Sequence, residues 1–172
     1  MAGPAEGNRT LVLTRVLRGA AAGAAGTTAL NAVTFLDMTL RGRPPSRTPE
    51  NTVETLLGRL GLSMPGDDDA RQHRVEGLAA LLGAVTGVGV GAVLASVDDS
   101  LDGSLGRLPV PWGGLGLTTL AMVAANGPMT LLGVTDPRAW TAADWISDLA
   151  PHVAYGFTAA FAYTSMSRRV TA

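Results

Sequence analysis

The chain contains no cysteine and no lysine. Without cysteine there is no disulfide, no thiolate nucleophile and no Cys-based metal site. Without lysine no side-chain amine can form a Schiff base, which excludes retinal and pyridoxal-phosphate chemistry. All 13 basic residues are arginine, and the formal net charge of −1 gives no basic face for nucleic acid. We therefore expect no cofactor, no metal centre and no nucleic-acid partner.

Catalytic signatures are also missing. Only two histidines occur, His73 and His152, and neither is part of a GxSxG, HExxH or P-loop motif. The glycine repeat from Gly87 to Gly91 lies within a long apolar stretch and does not follow a predicted strand, so it is not a phosphate-binding loop. We expect that the protein is not an enzyme, and an intramembrane enzyme is the weakest hypothesis.

Half of the chain has no Asp, Glu, Lys or Arg. The 86 residues concerned, of 172, form four stretches: Gly19–Leu36, Gly77–Val97, Leu108–Thr135 and Leu149–Ser167. Soluble domains distribute charge along every element, because each element has a wet face. This segregation predicts an all-α, polytopic transmembrane helical bundle in a single membrane domain over residues 1–172. A soluble helical bundle with an unusually apolar core is the alternative.

About four hydrophobic helices follow from the length of apolar chain that crosses a bilayer, which is roughly 20 residues. The predicted spans are residues 16–40, 75–97, 112–134 and 142–166. The first contains few large apolar residues before Leu30, which favours a retained helix over a cleaved signal peptide. Thr141 is a good N-cap for the last span, with Asp144 three residues later.

A short amphipathic helix is predicted over residues 49–61, between the first two spans. Thr48 suits its N-cap, Pro49 its first turn and Gly61 its end. Its apolar positions recur with the spacing of one helical face: Val53, Leu56, Leu57 and Leu60. This helix either lies on the membrane surface or covers the bundle.

Two prolines lie within predicted spans. Pro128 follows Gly127 and removes a backbone hydrogen bond, so we expect a kink or a re-entrant break there. Pro109 and Pro111 are expected to precede that helix. Pro151 is expected to kink the fourth span.

Small residues recur at four-residue intervals on three spans. This spacing lets another helix approach closely in lipid. The packing positions are Gly19, Gly23, Gly83, Gly87, Gly91 and Gly156. The partner helix belongs either to the same chain or to a second copy.

Few polar side chains are candidates for function. Asp144, Asp148 and His152 are spaced by four residues, which allows hydrogen bonds along one helix face and is where a proton relay or cation site could begin. The competing interpretation places the acids among lipid headgroups and His152 against a neighbouring helix. Asn31, Asp37 and Asn126 are the other intramembrane polar groups and should face the bundle interior.

The arginine distribution does not decide the orientation. With four crossings, one side of the membrane carries six arginines and the other carries seven. One segment that does not cross, one external arginine cluster, or insertion in both orientations would each account for this balance. The third span, with its Gly-Pro step, is the first candidate for an incomplete crossing, and the weakly apolar first span is the second.

Several short runs resemble uncharacterised small multi-pass membrane proteins of actinobacteria. The similar runs are Gly26–Val33, Leu36–Met38, Arg41–Pro44, Asn126–Met129, Gly133–Pro137 and Asp144–His152. The resemblance implies a multi-pass helical fold in the bacterial inner membrane and no particular activity. Arginine without lysine, together with abundant glycine and alanine, indicates a GC-rich bacterial genome.

Two functional hypotheses follow. The first is a structural or accessory membrane protein that packs through its small-residue faces, with itself or with a larger membrane complex. The second is a small proton- or cation-coupled transporter or channel that uses Asp148 and His152.

Overall fold

The protein is all-α over the residues that the computed structural model describes, 4–101 and 103–168. The helices are α1 (Pro4–Arg41), α2 (Thr48–Arg59), α3 (Asp68–Ser100), α4 (Val110–Leu131) and α5 (Ala142–Arg168). Single 3-10 turns at Leu105–Arg107 and Pro137–Ala139 precede α4 and α5. Four long helices and one short connecting helix agree with the prediction in number and order.

Helices α1 and α3 extend well beyond the predicted spans. The spans were bounded by charged residues, but a charge does not end a helix. Gly42, Gly61 and Gly133 have φ of 61°, 66° and 75° and stand just after α1, α2 and α4. Glycine adopts this left-handed conformation without steric cost, so it marks the ends that charge could not locate.

The connecting helix α2 covers one end of the bundle. Val53 is buried against Val75 and Ala79 of α3, and the Arg59 guanidinium donates to the Leu132 carbonyl at the end of α4 (2.8 Å). The apolar stripe is only partly used, because Leu56 and Leu60 are exposed. This arrangement corresponds to the alternative in which the helix covers the bundle.

The cap predicted for α2 is wrong. Thr48 is the first residue of the helix, and Arg47 occupies the N-cap position without a side-chain cap. The Ser46 hydroxyl accepts from the Thr48 backbone N–H instead (3.2 Å).

Neighbouring long helices run antiparallel. Gly19 and Gly23 of α1 lie against Gly91 and Gly87 of α3, so increasing number on one helix matches decreasing number on the other. Helices α1 and α5 are related in the same way, because Gly26 lies against Tyr155 and Arg41 bonds Ser147. Short connections favour this up-down arrangement.

Helices α4 and α5 also pack antiparallel, with Gly113 near Ala160 and Asn126 bonded to Asp148. The bundle therefore has two ends. The α2 end holds α2, the start of α3 and the start of α5. The Asp98 end holds the end of α3 and the start of α4.

Small residues and tyrosines form the interior, and large aliphatic residues lie outside. The buried apolar residues of the bundle are Ala22, Val90, Ala95, Leu117, Ala121, Tyr155, Ala159, Ala160 and Tyr163. Tyr155 fills the centre, where its hydroxyl donates to the Gly87 carbonyl (2.6 Å). Side chains such as Phe35, Val85, Val123 and Phe161 are more than half exposed.

Helix α4 continues through Pro128 to Leu131, so of the predicted kink or re-entrant break at Gly127-Pro128 the re-entrant break is absent. Pro128 stands in the last turn, where losing one backbone hydrogen bond interrupts little further helix. Pro111 also lies inside α4, in its first turn, and not ahead of it as predicted. A proline is tolerated there because the first turn has no intrahelical acceptor for its N–H.

One helix among the described residues is long and apolar enough to cross a membrane on length and composition. It is the 31-residue stretch Asp68–Asp98, which contains an 18-residue window of mean hydropathy 2.2. A core helix of a soluble protein passes the same test when it is mostly buried, but only 22% of that window is buried.

Candidate functional site

Asn126, Asp148 and His152 form a polar group between α4 and α5. The Asn126 amide nitrogen donates to Asp148 Oδ2 (2.8 Å). His152 Nδ1 lies 2.7 Å from the Asp148 carbonyl oxygen and 3.6 Å from Asp148 Oδ1. A carbonyl only accepts, so Nδ1 carries a proton. His152 is 8% exposed, whereas the other histidine, His73, lies on the exposed surface.

The helix geometry explains this grouping. Asp148 and His152 are one turn apart on α5, so they share a face. The antiparallel packing of α4 brings Asn126 to the same level. Pro151 lies between the two α5 residues and has no N–H, which leaves the Ser147 carbonyl without its helical donor. The site thus combines a carboxylate, an amide and an imidazole.

Asp144 is not part of this group, although the sequence spacing placed it in the same row. Its carboxylate accepts from the Thr141 N–H (2.9 Å) and from the Thr141 hydroxyl (2.6 Å). The Thr141 hydroxyl oxygen accepts in return from the Asp144 N–H (3.2 Å). This reciprocal pair is a capping box, and it keeps Asp144 at the exposed start of α5.

Asp37 does not face the bundle interior. Its carboxylate binds Arg41 (2.8 Å) and Arg43 (2.6 Å) at the end of α1. Arg41 also donates to the Ser147 hydroxyl (2.5 Å), which joins α1 to α5. The expectation of an interior acid was wrong because two arginines a few residues later hold Asp37 at the helix end.

Asn31 is exposed, so the expectation that it faces the interior was also wrong. Interior positions of α1 at this level belong to residues closer to α5, such as Leu30, which packs on the core around Tyr155. No hydrogen bond joins the Asn31 side chain to any other described residue.

The glycine positions divide into two groups. Gly19, Gly23, Gly87 and Gly91 make the α1–α3 contact, where an added Cβ would collide with backbone or with Thr27. Gly156 makes the corresponding approach to Gly114 and Thr118 of α4. Gly83 has nothing within 4 Å of where a Cβ would be, so the predicted packing at Gly83 does not occur within the chain.

Asp98 is a buried acid that sequence reasoning missed. Its Oδ1 accepts from the backbone N–H of Leu105 (2.7 Å) and of Gly106 (3.1 Å). Its Oδ2 accepts from the Tyr163 hydroxyl (2.8 Å). An acid in the last turn of a helix opposes the helix dipole, and that unfavourable position was the available signal. Asp98 fixes the α3–α4 connection to α5.

The exposed loop between α4 and α5 holds one further ion pair. Arg138 Nε lies 2.9 Å from Asp136 Oδ1. The hydrogen bond from Arg138 holds the pKa of Asp136 below its usual range. This pair lies outside the helices and belongs to neither group of polar residues.

The described residues contain no cluster of three or more His, Cys, Asp or Glu that could hold a metal ion. Asn126, Asp148 and His152 offer a group that can take up or release a proton and one carboxylate for a cation. Comparison with protein-family models, curated proteins and solved structures found no significant match.

Proposed function

We propose that this chain is an integral membrane protein of structural or accessory type, located in the bacterial inner membrane, with α1, α3, α4 and α5 crossing the bilayer. The observation that carries the proposal is the inverted distribution of side-chain size. The interior is built mainly from Ala, Gly, Thr and Tyr, with Val90 and Leu117, whereas most large aliphatic residues point outward, as do Phe35 and Phe161. A soluble protein places its large apolar residues inside.

Close backbone approach further supports a membrane setting. Gly19 and Gly91, and Gly156 and Gly114, meet with no room for a side chain. Glycine inside a water-exposed helix costs about 1 kcal/mol relative to alanine. In lipid, van der Waals contact between closely packed helices offsets that cost.

Exposed apolar residues extend over all four long helices. Leu13, Val93, Leu115 and Phe161 are each about half exposed or more, one from each long helix. A soluble monomer rarely exposes apolar patches beyond a few hundred Å². A surface that is apolar on every long helix matches the acyl chains of a bilayer.

Alkaline carbonate extraction of cell membranes tests this proposal. Integral proteins stay in the membrane pellet, whereas peripheral and soluble proteins are released. We expect the full chain to stay in the pellet and to need detergent for release. Release by carbonate alone would contradict the proposal and favour a soluble bundle.

A proton- or cation-coupled transporter or channel is the second candidate, because Asn126, Asp148 and His152 come together between two helices. An enclosed carboxylate and imidazole inside a membrane bundle would be expensive without a role. The proposal includes no catalytic activity.

Flux into liposomes tests this second candidate. Wild-type protein should carry protons or cations above empty vesicles, and Asp148→Asn and His152→Ala should each abolish most of that flux. Asp136→Asn is the control, because Asp136 lies in the exposed loop and should leave flux unchanged. An absence of flux with wild-type protein under every gradient would leave only the structural role.

A further inference from the structure

A groove between α1 and α5 opens on the outer surface of the bundle, near the α2 end. It encloses about 160 Å³, and three side chains that line it, Leu36, Leu40 and Ile146, are more than half exposed. From Val33 to Leu40 it follows α1 for about 10 Å, at a rise of about 1.5 Å per residue. The apolar residues that line it are Val33, Leu36, Leu40, Ile146, Ala150 and Pro151.

The size of the groove selects its occupant. A helix with its side chains is about 10–12 Å across, which is too wide for this space to seat. An apolar cavity of about 150 Å³ holds a guest the size of benzene, so the groove has room for a short run of methylene groups. In a bilayer whose hydrocarbon core is roughly 30 Å thick, its length covers about two thirds of one leaflet. These dimensions fit one acyl chain of a phospholipid.

Charged side chains of both signs stand at one end of the groove. Asp37 lines the groove and binds Arg41 (2.8 Å) and Arg43 (2.6 Å). Arg41 also donates to the hydroxyl of Ser147, another lining residue (2.5 Å), and its charge acts on Asp144. We call the four charged residues the groove mouth. Two positive and two negative side chains leave the groove mouth without net charge.

Each sign of charge keeps an unused bonding atom at the groove mouth. Among the described residues, the bonds of Arg41 use Nε and Nη2 and leave Nη1, and those of Arg43 use Nε and Nη1 and leave Nη2. Asp144 accepts through Oδ2, so its Oδ1 has no donor within the described chain. Guanidinium N–H groups donate to phosphate, and a carboxylate oxygen accepts from an ammonium. The groove mouth therefore matches a headgroup that carries both a phosphate and an ammonium.

We propose that the groove binds one zwitterionic phospholipid with a primary ammonium, of which phosphatidylethanolamine is the simplest. An acyl chain lies between α1 and α5, the phosphate accepts from Arg41 and Arg43, and the ammonium donates to Asp144. Phosphatidylglycerol has no ammonium and leaves Asp144 beside a second negative charge, and phosphatidylcholine has no N–H to donate. Trp145, next in the chain to Ile146, is a residue type enriched at the membrane–water interface, where headgroups lie.

This inference rests on the proposed membrane location, and native mass spectrometry of the full chain in detergent tests it. Lipid-free protein is titrated with phosphatidylethanolamine, phosphatidylglycerol or phosphatidylcholine of identical acyl chains. We expect one phosphatidylethanolamine to bind with a dissociation constant about tenfold below those of the other two lipids. Asp144→Asn should remove most of this preference over phosphatidylglycerol, because the charged acceptor for the ammonium is lost.

Two further variants test the two parts of the site separately. Arg41→Gln removes a phosphate donor, and Ala150→Leu fills the groove while keeping the charges of the groove mouth. Each should raise the dissociation constant for phosphatidylethanolamine by about tenfold. Two matched controls should leave it unchanged: Arg71→Gln removes an exposed arginine at the same end of the bundle, and Ala80→Leu enlarges an exposed alanine of α3.

The possible failures are distinguishable. Equal binding of the three lipids by wild-type protein, or equal effects of the groove variants and their controls, would overturn the lipid site. Protein that stays in the carbonate pellet but shows no lipid preference contradicts this inference alone. Carbonate release contradicts the membrane location and, with it, the lipid site.

Discussion

Glycines two residues apart in α3 have opposite roles. An added Cβ at Gly91 would meet the backbone of Gly19 and Gly23, whereas Gly89 has nothing within 4 Å. The four-residue spacing identified Gly91 as a packing position, but spacing alone gave Gly83 the same role. Gly91 contacts α1 and Gly83 does not. This difference depends on where α1 and α3 diverge, which the packing of the whole bundle determines.

This difference predicts stability changes of opposite sign. Gly89→Ala should stabilise the protein by about 0.5–1 kcal/mol, because alanine loses less backbone entropy in a helix. Gly91→Ala should destabilise it by about 1–3 kcal/mol, since α1 must move away to admit the methyl group. Reversible unfolding in mixed micelles, followed by circular dichroism, measures both. Equal effects of the two substitutions would show that α1 and α3 do not pack through Gly91.

Polar residues show how far the candidate site could be predicted. The i, i+4 spacing of Asp148 and His152 correctly placed them side by side. Asn126 was predicted to be intramembrane, but its pairing with Asp148 depends on the register between α4 and α5, which no local pattern contains. Asp144 has the same spacing but lies outside the group, because its carboxylate pairs with Thr141 in the capping box at the start of α5.

At the scale of elements, the absence of charge located the helices well and their ends poorly. Charge-free stretches identify segments with no wet face, which is why all four long helices were predicted in order. Helix α3 begins at Asp68, seven residues before the predicted span, because acids are favourable at a helix start. Helix α1 continues past the acid Asp37 and ends at Arg41, just before Gly42.

Proline was the least reliable signal for these elements. Pro111 and Pro128 both lie inside α4, near its two ends, where little helical hydrogen bonding is lost. A proline near a helix end therefore does not indicate a re-entrant segment. Helix α4 is continuous where the sequence predicted a break, and the four long helices have 38, 33, 22 and 27 residues.

On the scale of the whole molecule, four antiparallel helices surround an interior of small residues and tyrosine. Bonded polar side chains lie at both ends of the bundle. Asp98 bonds Tyr163 at the Asp98 end, and Asp37 pairs with Arg41 at the α2 end. Exposed apolar side chains occupy the region between them. This three-zone order along the bundle axis is the pattern expected of a membrane protein, and it supports the proposal that the long helices cross the bilayer.

Accessibility of single cysteines in intact cells tests this claim most directly, because the chain has no cysteine of its own. Ser63→Cys and Ala139→Cys lie in connections at the α2 end, and Ser104→Cys lies at the Asp98 end; all three positions are exposed. With an impermeant maleimide, we expect Ser63→Cys and Ala139→Cys to behave alike and Ser104→Cys to label from the opposite side. Labelling of all three positions from the same side would contradict the crossing of α3 and α4.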